Sequence, residues 1–298
     1  MSTDDVCSGA SSRRHEPMFA TSSGVRGWLL IEVRGSWGED AIHTSAFGNV
    51  APAHWKDELK RRHIRAVCVR SHLRLQGGDI RLFACAPRRP GSAEPATLWS
   101  RDVASFADVI TVAADLHVDH LGGDGWQRVP DPLILVCTNG RHDQCCANLG
   151  RPLVRALRES KWADRVWECS HIGGDRFAAN MVMLPESLYF GRVEPESGPL
   201  LLTELDEGRI DLSRFRGRTT YTIAEQAVEH FVRNDLGIEA VDGVAVSRRL
   251  DDGSFRVRAL DRVVHVRVRQ HLVSVPEPLT CKGPAGQLVP QFTLESIV

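Results

Sequence analysis

Cysteines, a histidine and an aspartate that could bind a metal lie near one another in the middle of this 298-residue chain. Cys137 and Cys146 frame one short polar segment, and Cys169, His171 and Asp175 lie in a second. Thiolate, imidazole and carboxylate groups bind zinc, and thiolates with imidazoles also hold iron–sulfur clusters. Four of the eight cysteines fall between positions 137 and 169. In a chain of this length, such clustering favours a metal site over a disulfide framework.

The elements on either side of the first segment are predicted from its apolar pattern. Residues 133–136 form a continuous apolar run of strand length, typical of a strand buried on both faces of a sheet, and this run leads directly into Cys137. A helix is predicted to begin near Cys146, with Pro152 in its first turns, where a missing N–H costs little. The N-terminus of a helix favours the thiolate form of a nearby cysteine.

The second segment follows a short strand predicted at residues 166–168. In a parallel strand–helix–strand arrangement, the loops that follow the two strands lie at the same edge of the sheet. We therefore expect the two segments to approach each other, with two donors from each. Four such donors could hold zinc or a [2Fe–2S] cluster, and their spacing does not decide between these groups.

The remaining pattern predicts the fold class. Residues 180–184 and 188–193 are predicted to form an antiparallel hairpin, and residues 199–207 a closing helix. The order of strand, cysteine loop, helix, strand, loop, hairpin and helix is that of a thioredoxin-like domain. We predict an α/β protein, α+β overall, with no internal repeat evident in its sequence.

Four regions are predicted along the chain. They are a flexible leader over residues 1–22, an α+β region over 23–129, the thioredoxin-like domain over 130–212, and a C-terminal region over 213–298. The last region combines an amphipathic helix over residues 223–236 with β-hairpins.

The composition excludes several classes of protein. A hydrophobic content of 42%, a charged content of 25% and a formal net charge of -1 argue against a disordered chain and against a nucleic-acid-binding protein. No run of 18 apolar residues is present, so no membrane span or membrane partner is expected. The first twenty residues lack the apolar stretch of a secretory signal, and we therefore expect a cytoplasmic location.

Longer motifs carry a resemblance to a known family. Residues 137–153, with the sequence CTNGRHDQCCANLGRPL, resemble the signature of the sucrase/ferredoxin-like family, whose members are thioredoxin-like [2Fe–2S] ferredoxins. Residues 170–180 resemble the second signature of that family, and residues 27–32 resemble its N-terminal motif. The resemblance spans about residues 25–240 and implies that the region over 130–212 is a [2Fe–2S] ferredoxin domain.

The resemblance also implies a ligand set. Carried over by position, Cys137 and Cys146 bind one iron, and His171 is the first histidine of an H-x3-H pair on the other iron. The chain departs from the family pattern at the fourth position, which holds Asp175 instead of histidine. We expect Asp175 to complete the ligand set, with Cys169 or another residue as the alternative. A neutral imidazole leaves a cluster less negative than a thiolate would, which raises its reduction potential and can couple reduction to protonation.

The other cysteines receive no ligand role from the sequence. Cys145 is expected to be a neighbour of the site, and His142 and Asp143 are expected either to tune its protonation or to be solvated loop residues. Four thiols have no partner at metal-binding spacing and are expected to be structural, namely Cys7, Cys68, Cys85 and Cys281.

These features predict an iron–sulfur protein that transfers electrons or senses redox state with an unidentified redox partner protein, and not an enzyme that turns over a substrate. Two alternatives remain open. The first is a thiol–disulfide redox enzyme on the same fold, although its usual C-x-x-C pair is missing. The second is a structural zinc-binding module, although the short C-x2-C pairs typical of structural zinc are absent.

Overall fold

The computed structural model describes residues 6–72 and 78–298, except for the side chain of Arg248. The helices are α1 (Cys7–Arg13), α2 (Ala41–Thr44), α3 (Trp55–Arg61), α4 (Phe106–Ala114), α5 (Gln144–Arg158), α6 (Gly198–Asp206) and α7 (Ile223–Leu236). The strands are β1 (Gly27–Glu32), β2 (Ile64–Arg70), β3 (Ile80–Ala86), β4 (Thr97–Val103), β5 (Gln127–Arg128), β6 (Leu133–Cys137), β7 (Val166–Cys169), β8 (Met181–Leu184), β9 (Leu188–Phe190), β10 (Phe215–Arg218), β11 (Val244–Arg249), β12 (Phe255–Ala259), β13 (Arg262–Val275) and β14 (Gln287–Ile297).

The protein is a mixed α/β structure built on a ten-stranded sheet in the order β10-β9-β8-β6-β7-β2-β1-β3-β4-β5. The predicted element order over the middle of the chain is confirmed, because β6, α5, β7, β8, β9 and α6 follow one another as expected. All five residues of β6 are buried, as the continuous apolar run predicts for a strand inside a sheet. No helix in the part of the chain that the structure describes is long and apolar enough to cross a membrane.

The large sheet contains the same strand arrangement twice. In the first unit, β1 pairs with β2 in parallel and with β3 in antiparallel orientation, and β3 then pairs with β4. In the second unit, β6 pairs with β7 in parallel and with β8 in antiparallel orientation, and β8 then pairs with β9. The units meet where β2 and β7 run antiparallel, with Val69 opposite Cys169. The sequence shows no repeat, so this repetition is one of topology alone.

The two units share a hydrophobic core. Along β1, Trp28 and Leu30 point to a cluster that also contains Leu135 of β6, because side chains alternate between the two faces of a strand. On the other face, α5 and α6 pack on the second unit through residues such as Leu153 and Leu201. Helices α2, α3 and α4 pack on the first unit, on the face of the sheet that α5 and α6 cover in the second unit. The strands of the second unit therefore pack against the first unit on one face and against α5 and α6 on the other. This packing fixes the end of β6, where Cys137 lies.

The C-terminal region is a helix followed by a separate four-stranded antiparallel sheet in the order β11-β12-β13-β14. Helix α7 has the bounds that its amphipathic pattern predicts. Thr222 and Glu225 form a capping box at its start, and Gly237 ends it in a left-handed conformation. The predicted β-hairpins are found as the antiparallel pairs β11–β12 and β12–β13.

The N-terminal segment differs from the prediction of a flexible leader. Residues 1–5 lie outside the described residues, but Cys7–Arg13 forms helix α1, with Cys7 and Ser11 buried. Glu16 is also buried, and its carboxylate accepts hydrogen bonds from Arg176 and Arg14 at 2.7 Å each. The prediction is wrong for this part of the leader because small side chains and a buried ion pair, and not an apolar stripe, hold the segment against the domain.

Candidate metal centre

The end of β6 and the start of α5 place the two cysteines of the first loop. Cys137 is the last residue of β6, and Asp143 caps α5 by accepting a hydrogen bond from the backbone N–H of Cys145 at 2.9 Å. Gly150 allows the helix to approach the strand, because a Cβ atom at that position would lie 2.1 Å from the carbonyl oxygen of Cys137. The buried thiols of Cys137 and Cys146 therefore come together.

The second loop carries His171 and Asp175 to the same point. Asp175 is 1% exposed, and its Oδ1 atom lies 2.9 Å from the Nδ1 atom of His171. The thiol of Cys146 donates to the same carboxylate oxygen at 3.1 Å. The structure thus brings together the four predicted site residues, although the two loops are separated by the whole of α5 and β7.

A buried arginine holds this second loop in place. Arg216 donates hydrogen bonds to the carbonyl oxygen of Gly173 at 3.0 Å and to Oδ1 of Asn180 at 2.7 Å. Gly174 has a φ of +83°, and a Cβ atom there would lie 2.3 Å from a guanidinium nitrogen of Arg216. The positive φ and the close approach of Arg216 explain why glycine occupies position 174.

His142 is a further donor that sequence reasoning treated only as a tuning or solvated residue. Its ring stacks on that of His171 with centroids 3.7 Å apart, and its Nε2 atom lies 3.6 Å from Oδ2 of Asp175. The donor atoms of His142, His171 and Asp175 all lie within 4.8 Å of one another, as do those of Cys137, Cys146 and His171. Cys169, the predicted alternative ligand, belongs to neither group among the described residues and lies in the core.

The environment of the site lowers the pKa of two donors and raises that of a third. Burial raises the pKa of Asp175, but the contact with His171 and the hydrogen bond from Cys146 outweigh burial and hold this pKa below its usual value. The hydrogen bond from Cys146 likewise lowers the pKa of Cys137 against the effect of burial, with help from the charge of His171. For the same pair, the pKa of Cys146 is raised well above its usual value. Cys137 is therefore the thiol of the pair that ionises more readily.

One buried carboxylate oxygen of the site lacks a hydrogen-bond partner among the described residues. Within residues 6–72 and 78–298, Oδ2 of Asp175 is buried and has no hydrogen-bond partner. A buried carboxylate oxygen without a partner is costly, unless a group bound at the site satisfies it. Two thiols, an imidazole and this carboxylate fit zinc or a [2Fe–2S] cluster by their chemistry.

The histidine side of the site faces open space. A cavity of about 780 Å³ is bordered by His142 and His171 on one side and by Arg65, Lys56 and Lys60 of the first unit on the other. The side chain of His171 is 29% exposed, whereas Cys137 and Cys146 are buried. A molecule in this cavity would reach the imidazole edge before any other part of the site.

A second group of donors lies on the other side of the first turn of α5. The thiols of Cys7, Cys145 and Cys281 lie 3.3–3.5 Å from one another, and the carboxylate of Asp143 is 3.8 Å from the sulfur of Cys7. These four side chains could bind a metal. The expectation that Cys7 and Cys281 have no partner at metal-binding spacing is therefore wrong. No local pattern could reveal this group, because its members come from both ends and the middle of the chain.

Comparison with known proteins identifies the relatives of this chain. A family model described as Sucrase/ferredoxin-like matches residues 18–217. The protein called altered inheritance of mitochondria protein 32 is 30% identical over 96 residues in Saccharomyces cerevisiae strain S288c and 29% identical in Saccharomyces kudriavzevii. The matched part covers 28% of this chain and 31% of each yeast protein, so the chain spans about a third of the length of these curated relatives.

Two solved structures are also similar to a part of the chain. Both are cysteine-to-serine variants of the thioredoxin-like [2Fe–2S] ferredoxin from Aquifex aeolicus, with 18% and 16% sequence identity and TM-scores of 0.26 and 0.25. Each match covers 28% of this chain and 97% of the ferredoxin.

Proposed function

Because the chain belongs to the sucrase/ferredoxin-like family, we propose that it is an electron-transfer or redox-sensing protein that carries one [2Fe–2S] cluster in a thioredoxin-like domain over residues 130–212. One observation supports this proposal above the others. The thiols of Cys137 and Cys146, at the end of β6 and the start of α5, lie beside His171, and Asp175 contacts both Cys146 and His171. Within the described residues, Oδ2 of Asp175 is buried and lacks a hydrogen-bond partner. Four donors is the number that such a cluster requires, and cysteine and histidine are ligands that such clusters use.

We propose Cys137 and Cys146 as ligands of one iron and His171 and Asp175 as ligands of the other. Asp175 is preferred to His142 as the fourth ligand because its carboxylate is 1% exposed and contacts both Cys146 and His171. When bound, a [2Fe–2S] cluster accepts and releases one electron at a time.

The protein groups around the site have separate tasks in this proposal. Burial of Cys137 and Cys146 keeps water from the thiolate side of the site, which limits loss and oxidation of the ligands. Arg65 donates a hydrogen bond to the carbonyl oxygen of His171 at 3.1 Å and so fixes the second loop against β2. His171 gives the site its exposed edge, through which we propose that electrons pass to a redox partner in the adjoining cavity. The partner and the cytoplasmic location remain proposals.

Electron paramagnetic resonance of the anaerobically purified, dithionite-reduced protein tests this function. The protein should be brown, contain about two irons per chain and give the signal of a reduced [2Fe–2S] cluster. His171→Ala and Asp175→Ala should each change the signal or abolish it, because each removes a ligand. His142→Ala is the matched control and should leave the g values unchanged.

The same experiment has outcomes that contradict the proposal. A colourless protein without iron after anaerobic reconstitution would remove the cluster, and one zinc in place of iron and sulfide would identify a zinc-binding module instead. A changed signal in His142→Ala with an unchanged signal in Asp175→Ala would overturn the assignment of the fourth ligand.

A further inference from the structure

We propose that Cys7, Asp143, Cys145 and Cys281 bind one Zn²⁺ at a second site, separate from the [2Fe–2S] site. The three sulfur atoms lie 3.5, 3.3 and 3.5 Å apart in pairs. In a tetrahedral site with Zn–S bonds of about 2.3 Å, the sulfurs are about 3.8 Å apart, so small side-chain movements would admit the ion. All four donor atoms lie within 4.8 Å of one another, which is the size of a single-ion site.

The carboxylate of Asp143 occupies a fixed position at this group. One of its oxygens accepts a hydrogen bond from the backbone N–H of Cys145 at 2.9 Å, and the other accepts from the backbone N–H of Cys281 at 2.6 Å. Asp143 is also the N-cap of α5, where the helix dipole stabilises negative charge. The same residue thus links the helix, the C-terminal loop and the fourth corner of the proposed site.

The surroundings of the three thiols of this group resemble those of metal-bound cysteines. Ser8 donates a hydrogen bond from its Oγ atom to the sulfur of Cys145 at 3.2 Å, and such bonds to ligand atoms are typical of metal sites. Cys7 and Cys145 are buried, and Cys281 is partly exposed, which provides a route for the ion. Three thiols in mutual contact cannot all be satisfied by one disulfide, since one thiol would always be left over.

The chemistry of the donors selects the ion. Thiolates favour zinc over magnesium or calcium, which prefer oxygen ligands. Four protein ligands leave no open position, and a closed site of this kind is structural and not catalytic. The ion would tie α1 and the loop between β13 and β14 to the first turn of α5, beside Cys146. The proposed zinc site and the [2Fe–2S] site would therefore use neighbouring residues of one helical turn, Cys145 and Cys146.

Metal analysis of the full-length protein, purified anaerobically with zinc in the medium, tests the inference. The wild-type protein should contain about one zinc per chain in addition to any iron. Cys7→Ser and Cys281→Ser should lose most of this zinc, at least tenfold relative to wild type, yet keep the iron content and visible absorption. Cys68→Ser is the matched control, because Cys68 is a buried thiol outside both donor groups, and it should keep its zinc.

A second measurement does not depend on the folding of any variant. Wild-type protein grown with Co²⁺ should show thiolate-to-cobalt charge-transfer bands and the d–d bands of a tetrahedral ion.

Zinc that is lost in Cys137→Ser but kept in Cys281→Ser would lie at the other site and would overturn the inference. Absence of zinc, iron in its place, or a disulfide between two of the three thiols in protein alkylated without reduction would overturn it as well. Because zinc and iron are counted separately, failure of this inference leaves the proposed [2Fe–2S] function unaffected.

Discussion

Cys145 and Cys146 are adjacent in the sequence, yet their thiols belong to two different groups of donors. The sulfur of Cys145 lies 3.3 Å from that of Cys281, whereas the thiol of Cys146 donates to Asp175 at 3.1 Å. Successive side chains on a helix point about 100° apart, so two neighbours in the first turn of α5 face different parts of the protein. Changes that move this turn should therefore affect both sites.

The substitution Asp175→His should raise the reduction potential of the proposed cluster by on the order of 100 mV. It replaces a negative ligand with a neutral imidazole and restores the histidine of the family pattern, and a less negative cluster is easier to reduce. Redox titration followed by electron paramagnetic resonance measures this shift. Asp164→His is the control, because this exposed aspartate precedes β7 at the opposite end of the strand, and an equal shift in both variants would contradict a ligand role for Asp175.

The substitution Gly150→Ala should destabilise the protein by about 1–3 kcal/mol and lower its iron content. The added Cβ atom would lie 2.1 Å from the carbonyl oxygen of Cys137, so α5 must move away from β6 and carry Cys146 with it. Urea denaturation and iron analysis measure the two effects. Gly24→Ala serves as the control, since no atom lies within 4 Å of its Cβ position. Equal stability and iron content in the two variants would show that the close approach of α5 is unimportant.

The N-terminal segment should lose stability in acid through Glu16. Burial raises the pKa of this carboxyl, but the charge and hydrogen bond of Arg176 and the hydrogen bond from Ser11 outweigh burial and hold it below the ordinary value of 4.5. A group with a lowered pKa in the folded state stabilises the protein above the unfolded value and loses this effect as the pH falls through the folded value. The ion pair should therefore contribute fully at pH 7 and fade in the range below 4.5.

Comparison of wild type with Glu16→Gln by urea denaturation checks this dependence. The variant should be less stable by about 1.5–3 kcal/mol at neutral pH, and the difference should shrink as the pH falls below 4.5. Glu207→Gln removes an exposed carboxylate that pairs with Arg209, and it should change stability little at any pH. A Glu16→Gln difference that is constant with pH would argue against a charged Glu16.

The substitution Glu229→Gln should cost about 3–5 kcal/mol of unfolding free energy. One oxygen of Glu229 accepts hydrogen bonds from Arg218 at 2.8 Å and from Arg233 at 3.0 Å, and all three side chains are 0% exposed. The variant removes the carboxylate charge that both buried guanidinium groups contact. Thermal or urea unfolding measures the loss, and the partly exposed pair of Arg269 and Glu295 provides a control.

In that control, Glu295→Gln should cost less than about 1 kcal/mol, because water screens the pair. If Glu229→Gln were no more destabilising than Glu295→Gln, the buried triad would not hold the edge strand β10 against α7.

Local patterns alone predicted the middle of the chain. The apolar run before Cys137, the amphipathic helix after it and the hairpin beyond were sufficient to predict the order from β6 to α6, because each element depends on residues near in sequence. Motifs in two short segments supplied the candidate donors of the first site, and the resemblance to the family narrowed them to four residues. Their role as ligands stays a prediction.

Only the tertiary structure showed the repeated strand arrangement, the ordered N-terminal helix, the stacking of His142 on His171 and the second donor group. The repeat lies in the pairing of strands and leaves no trace in side-chain identity. Cys7, Cys145 and Cys281 meet although 138 positions separate the first two and 136 separate the last two. Sequence determined which donors exist and which local element carries each one. The packing of distant segments decided which of them meet, because contacts between residues this far apart create no periodicity or spacing that can be recognised along the chain.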